Sequence, residues 1–161
     1  MERHHTATAY VVSKGHTLLL WHSFLKMWLP PGGHCEANEH PVETAIREAK
    51  EETDFTVEIM EQKPILISDN PQTLEAPRVI LLEDIDREDQ PIHQHIDHVY
   101  FSTPIAEISF KKPIPHGPSQ WVSLNQLDNN LSLIDPSGRS VIVAEDVRLL
   151  GIEAIKASGH F

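Results

Sequence analysis

The sequence has a single cysteine, Cys35, in 161 residues, so no disulfide can form within the chain. It has no apolar run near the roughly 18 residues that a membrane-crossing helix requires. Its first residues, Met1-Glu2-Arg3-His4-His5, lack the apolar segment of a secretory signal; no membrane association is expected, and the expected compartment is the cytoplasm. Basic residues are few, 13 Lys and Arg against 24 Asp and Glu, for a formal net charge of −11. A chain that acidic gains nothing from the phosphate electrostatics of long nucleic acids. No broad DNA or RNA surface is expected, although a metal ion can still bridge the protein to a small phosphorylated ligand. There is no repeat and no low-complexity tract. The length suits one domain, residues 1–161, with a core that needs no staples. Eleven histidines are present, mostly expected as surface or strand residues, with metal or pH-sensitive roles open to some of them.

What is present alternates between strand-like and helix-like stretches. Residues 7–12 and 16–21 read as strands joined by a turn at Ser13-Lys14-Gly15, hence a hairpin. Leu29-Pro30-Pro31-Gly32-Gly33 is a break. A helix follows from Pro41, which suits a first helical position. Val42, Ala45, Ile46 and Ala49 recur at helical spacing, and the helix closes at Thr53-Asp54. Residues 55–60, 79–83, 98–102 and 121–124 read as further strands, 111–120 as a Pro-rich loop, and 139–157 as a second amphipathic helix. The order is an α/β pattern with a mixed sheet between helices.

The chemistry concentrates at residues 33–55. At about 100° per residue, Glu48 and Glu52 lie about 40° apart on the helix, and Glu51 lies about 60° to the other side of Glu48. Like charges this close repel unless a cation intervenes. Hard carboxylate oxygens suit Mg²⁺ or Mn²⁺. Arg47 precedes Glu51 by four residues, and its planar fork is suited to hold carboxylates in place. Gly32 and Gly33 permit close backbone approach or positive φ, which would aim the loop carrying Glu39 over the helix. An acidic helical run by itself is more often a solvated face; the full spacing shifts that balance.

That spacing resembles the Nudix signature: Gly, five residues, Glu, seven residues, Arg-Glu, an apolar residue, any residue, Glu-Glu, any residue, Gly, an apolar residue. Gly33, Glu39, Arg47, Glu48, Ala49, Glu51, Glu52 and Phe55 match, and Asp54 replaces the last Gly. A left-handed residue is expected there, which Gly takes best and Asp tolerates, so a small stability cost is expected and the chemistry is retained. The resemblance implies an α/β/α sandwich with a central mixed sheet, a magnesium-dependent hydrolase (Mn²⁺ as the alternative), and a small nucleotide-like diphosphate substrate such as a nucleoside triphosphate or nucleotide sugar. It implies Glu48 and Glu52 as main metal ligands, Glu51 as a ligand directly or through water, Arg47 as the residue that orients them, and Glu39 as a loop support or a water-mediated ligand. The metal would bridge diphosphate oxygens and activate water for attack at phosphorus.

Family members often recruit a further acid before the late tryptophan strand. Here the loop 111–120 has none; His116 is either the stand-in, as base or outer-sphere ligand, or a loop histidine with no role, and Lys111 and Lys112 are phosphate candidates or plain surface lysines. Trp28 is the candidate to stack on a base, Arg78 a candidate for a phosphate, and Gly32 and Gly33 the backbone that meets the diphosphate. One of Tyr100 and Phe101 faces the core and the other is open to a base. His93, His95 and Asp97 share a strand face if the strand reaches that far; a second metal would need a ligand from another element. Cys35 has no nucleophile pair beyond adjacent His34. The alternative to an enzyme is a Nudix-fold module that senses a nucleotide without cutting it, but such a module should lose box carboxylates, and Glu48, Glu51 and Glu52 all remain. A prenyl diphosphate isomerase would want its cysteine in the apolar pocket, whereas Cys35 lies inside the box. A homodimer is compatible with the sequence, and nothing in it decides the matter.

Overall fold

The computed structural model describes residues 1–63, 66–68, 70–86, 91–111 and 113–159. Its spine is a parallel pair, β1 (Arg3–Ser13) and β7 (His93–Pro104), in register from Arg3 opposite Gln94 to Val11 opposite Ser102. Every other pairing in the main sheet is antiparallel. On the far edge of β1, β4 (Gly32–His34) lies against Thr6 to Thr8, and β2 (His16–His22) joins at Val12 and Ser13. β3 (Met27–Leu29) and β8 (Ser119–Ser123) flank β2. On the far edge of β7, β6 (Val79–Ile85) covers residues 93–99 and β5 (Val57–Ile59) covers 102–104.

Alternation along β1 divides its side chains between two helical layers. Ala7, Ala9 and Val11 pack with Ala45 and Ala49 of α1 (Pro41–Thr53). Tyr10 and Val12 pack on the other face with Leu127 of α2 (Leu124–Asp128) and with Val147, Ile152 and Ile155 of α3 (Glu145–Ala157). This is the α/β/α sandwich with a central mixed sheet that the resemblance implies. The alanines, fully buried, let α1 sit close to the sheet. No helix among the described residues is long and apolar enough to cross a membrane.

Several boundaries differ from the sequence reading. β1 and β7 both extend toward their N-termini through polar residues, because each supplies the other's ladder. Gly32 and Gly33, read as part of a break, form β4. The second helix starts at Glu145, not at residue 139. Before it, β9 (Leu133–Ile134) and β10 (Ser140–Val141) pair across a turn built on the buried Asp135. That carboxylate accepts hydrogen bonds from the Ser137 and Arg139 backbone N–H groups and from the Arg139 guanidinium, at 2.8 to 3.0 Å.

α1 ends as the box requires. Asp54 adopts φ 62°, ψ 11°, and its N–H donates to the Lys50 carbonyl. The Lys50 ammonium lies 2.7 Å from Oδ1 of Asp54, an exposed pair that contributes little. Relieving the left-handed strain should outweigh losing that pair. Asp54→Gly is expected to stabilise the fold by about 0.5 kcal/mol, or roughly 2 °C in Tm, read by thermal denaturation; a lowered Tm would contradict this account.

Candidate active site

Arg47 projects from the middle of α1 toward β4 and the loop before the helix. Its Nε and Nη2 donate to Oε1 and Oε2 of Glu39 at 2.9 and 3.0 Å. Nη1 donates to Glu48 at 2.8 Å and to Glu51 at 3.1 Å, and Nη2 also donates to the His34 carbonyl at 3.0 Å. One guanidinium thus joins three of the four box carboxylates to the β4 backbone. Such bidentate pairing is the arrangement that lysine cannot copy.

Glu39 is the most fully engaged of the four box acids. Besides Arg47 it accepts from the Thr44 hydroxyl at 2.7 Å and the Glu36 N–H at 3.2 Å. The hydrogen bonds from Arg47 hold its carboxyl down to about 2, well below the usual carboxylate range. These hydrogen bonds tie Glu39 to its own loop and to α1.

Glu52 is different. It is half-buried and accepts the Gly32 N–H at 3.0 Å. Burial, with added repulsion from Glu48 and Glu51, pushes its carboxyl above the ordinary value. The set of Glu39, Glu48, Glu51 and Glu52 holds one arginine against four acids, so negative charge is left uncompensated around a partly desolvated carboxylate. A hard divalent cation fits that donor set. Gly33 makes the approach possible: a Cβ there would lie 2.3 Å from Oε1 of Glu48. At Gly32 a Cβ would lie 2.8 Å from the Ala7 carbonyl oxygen. Neither glycine takes positive φ; close approach is what both supply.

Two cavities meet at β4. A small one of about 130 Å³ is bordered by Glu52, Gly32, His116 and Pro118. His116, from the Pro-rich loop, therefore borders the same space as a box carboxylate. A larger cavity of about 580 Å³ lies on the α3 side of the sheet and shares Leu29, Pro30 and Gly32 with the small one. Its floor includes Thr6, Thr8, Glu83, Asp97 and Asp146. Asp97 is 5 % exposed and accepts the Thr6 and Thr8 hydroxyls at 2.8 and 3.1 Å. Burial raises its carboxyl, and burial with the charges of Asp97 and Asp146 pushes Glu83 up to about 7. Glu83 went unrecognised as a site candidate in the sequence. The available signal was an acid between Leu81 and Ile85 on the inward-facing positions of a strand, but Ile80 and Leu82 make the opposite face equally apolar, which hides the alternation.

The other candidates are not brought to these cavities. Trp28 is 2 % exposed and packs in the core beside Trp21; the expectation that it stacks on a base is corrected, because β3 turns its ring inward. Arg78 lies over the Phe101 ring at 5.2 Å and donates to the Met60 carbonyl at 3.4 Å, and it borders neither cavity. Tyr100 and Phe101 are both buried, on opposite faces of β7, so neither faces a base. Lys111 is exposed and borders neither cavity, and Lys112 lies outside the described residues.

Gly33→Ala tests the close approach directly. The added methyl must displace the Glu48 carboxylate, so Mg²⁺ affinity is expected to fall by about 10-fold or more with Tm little changed; unaltered Mg²⁺ binding by calorimetry would contradict the geometry.

Comparison with known proteins agrees with this arrangement. The NUDIX domain model matches residues 2–144. A hydrolase of the NUDIX family from Clostridium perfringens has a crystal structure that superposes with a TM-score of 0.74 at 30 % identity, over 97 % of this chain and 98 % of that one. A MutT protein from Methanosarcina mazei Go1 shares the fold, with a TM-score of 0.56 at 18 % identity over 99 % and 97 % of the two chains. A protein from Lactococcus lactis subsp. cremoris (strain MG1363) named "Probable DHNTP pyrophosphohydrolase" is 33 % identical over 95 residues, 59 % of this chain and 51 % of that protein. The match thus spans about half the length of that curated relative. With a family model over most of its length, a near-complete structural counterpart and an Arg47-centred carboxylate box, the chain belongs to the Nudix family.

Proposed function

We propose that the chain is a magnesium-dependent pyrophosphohydrolase, with Mn²⁺ as the alternative ion, that cleaves a diphosphate bond in a small nucleotide-like substrate by attack of water at phosphorus. The observation that carries this reading is the grip of Arg47 on Glu39, Glu48 and Glu51 beside the half-buried Glu52. Glu48 and Glu52 would hold the ion, with Glu51 ligating directly or through water. When bound, the ion supplies charge neutralisation on the leaving phosphate and a more acidic water. Gly32 would fix one oxygen of Glu52 through its N–H, leaving the other to the ion or to a water. Arg47 orients the carboxylates and does not touch substrate. His116, bordering the same small cavity, is assigned as the proton acceptor or outer-sphere ligand that no acid in its loop can supply.

The remainder of the substrate would occupy the larger cavity, whose volume is in the range of small-molecule sites. Asp97 and Glu83 offer oxygens to the N–H groups of a heterocycle. The name of the Lactococcus relative makes DHNTP a member of the first panel, beside nucleoside triphosphates and nucleotide sugars. Phosphate and pyrophosphate release with Mg²⁺ should be found for at least one panel member and fall about 10³-fold in Glu52→Gln, the equivalent of several kcal/mol. Nucleotide binding without turnover by the native chain would instead identify a sensor.

Glu83 adds a pH dependence. Its folded value, about 7, lies above the ordinary carboxylate value, so the native state binds this proton more tightly than the unfolded chain does. Its contribution to stability is complete at low pH and is lost as pH rises from about 4.5 through about 7. Above that point its negative charge would also oppose, from across β4, the binding of a polyphosphate at the carboxylate box. Glu83→Gln is expected to flatten the loss of stability between about pH 5 and pH 8 in urea denaturation, and to flatten a severalfold rise in KM. A mutant whose two profiles match those of the native chain would refute the assignment.

A further inference from the structure

We propose a second metal site, for a transition ion of the Zn²⁺ class, formed by His4, His93 and His95 on the cavity face of the sheet. His4 stands opposite His95 in the parallel register of β1 and β7, and His93 lies two residues earlier on β7, on the same face. One ring nitrogen from each falls within 4.8 Å of the other two. Ligands at about 2.05 Å in a tetrahedral shell stand about 3.3 Å apart. Nε2 of His93 and Nε2 of His95 are 3.3 Å apart, so that pair already has the spacing of two bound imidazoles. The third ligand, His4, comes from a different strand, and three histidines leave the fourth tetrahedral position open.

The surroundings of the rings favour an ion. Nδ1 of His93 lies 2.9 Å from the Pro91 carbonyl oxygen, which can only accept. His93 therefore carries its proton on Nδ1 and turns the Nε2 lone pair toward the cluster, the arrangement by which a backbone carbonyl orients a ligating histidine. The Glu2 carboxylate lies 3.1 Å from Nε2 of His4 and places negative charge beside a group that would carry a dication. His34 stands edge-on to His95, with ring centroids 4.8 Å apart, and is the nearest further imidazole. His34 and His95 both line the 580 Å³ cavity, so the ion would sit at its wall.

The two sites differ in chemistry. Carboxylate oxygens select Mg²⁺ or Mn²⁺, and imidazole nitrogens select Zn²⁺, Ni²⁺ or Cu²⁺. Saturating Mg²⁺ should therefore leave the histidine site open to Zn²⁺. The test is calorimetric titration of the metal-free full chain with Zn²⁺ in about 10 mM Mg²⁺, for the native chain, His4→Gln, His95→Gln and Glu52→Gln. One Zn²⁺ per chain is expected, weakened at least about 10-fold in either histidine variant and unchanged in Glu52→Gln. Absence of Zn²⁺ binding, or binding lost in Glu52→Gln and kept in the histidine variants, overturns the proposal. Co²⁺ added to the native chain supplies a readout that needs no variant to fold. Intense visible absorption is expected from a tetrahedral nitrogen site, and the faint bands of six-coordinate oxygen ligation alone would count against it.

Discussion

The site depends on one electrostatic problem, the assembly of four carboxylates within a turn and a half of helix and its preceding loop. Arg47 is the local solution. Its fork draws in Glu39, Glu48 and Glu51 and ties them to β4 through the His34 carbonyl. Each arm of the guanidinium has a fixed direction, so the acids it touches are fixed relative to one another as well as neutralised in part. Glu52, which Arg47 does not reach, is left with its charge incompletely answered and with burial working against it. That imbalance is the charge that the proposed cation would answer.

The close approach of helix and sheet makes the assembly possible. Ala45 and Ala49 bring α1 down onto β1, and Gly32 and Gly33 let β4 pass where any side chain would collide with Ala7 or Glu48. Small residues on both elements convert a charge cluster on a helix surface into a cleft with a backbone donor, the Gly32 N–H, aimed at Glu52. The same strand borders the larger cavity on the opposite face of the sheet, so a molecule crossing β4 would have its charged end at the box and its other end among Thr6, Thr8, Asp97 and Glu83.

Much of this was legible because it is local. The box spans one loop and one helix, so its spacing alone orders the acids around the helix axis and marks Asp54 as the left-handed terminus, with φ 62°. The apolar centres of the long strands and the two layers of helix followed from hydrophobic patterning, whereas the polar N-terminal halves of β1 and β7 did not. β3, β4 and α2 were too short for any period to register. The final helix was read six residues too early, because Val141 and Val143 continue its apolar stripe while the Asp135 turn pairs Ser140 and Val141 with β9 instead. Trp28 illustrates a different limit: an aromatic beside a glycine turn suggests an exposed platform, but whether its ring turns in or out depends on the pairing of β3 with β2.

The sequence by itself determined the family box, the chemistry of its donors, the sign of the protein's charge and the α/β order, since each rests on residue identity or on spacing within a single element. Only the tertiary structure decided which groups from distant segments share a space. It joined His116 to Glu52 around one cavity and set Glu83 beside Asp97 on the floor of another. It also brought His4 against His93 and His95 through the parallel register of β1 and β7. The physical reason is that a parallel pair joins strands about ninety residues apart, and no periodicity within either strand carries the information of which residue of one stands beside which residue of the other.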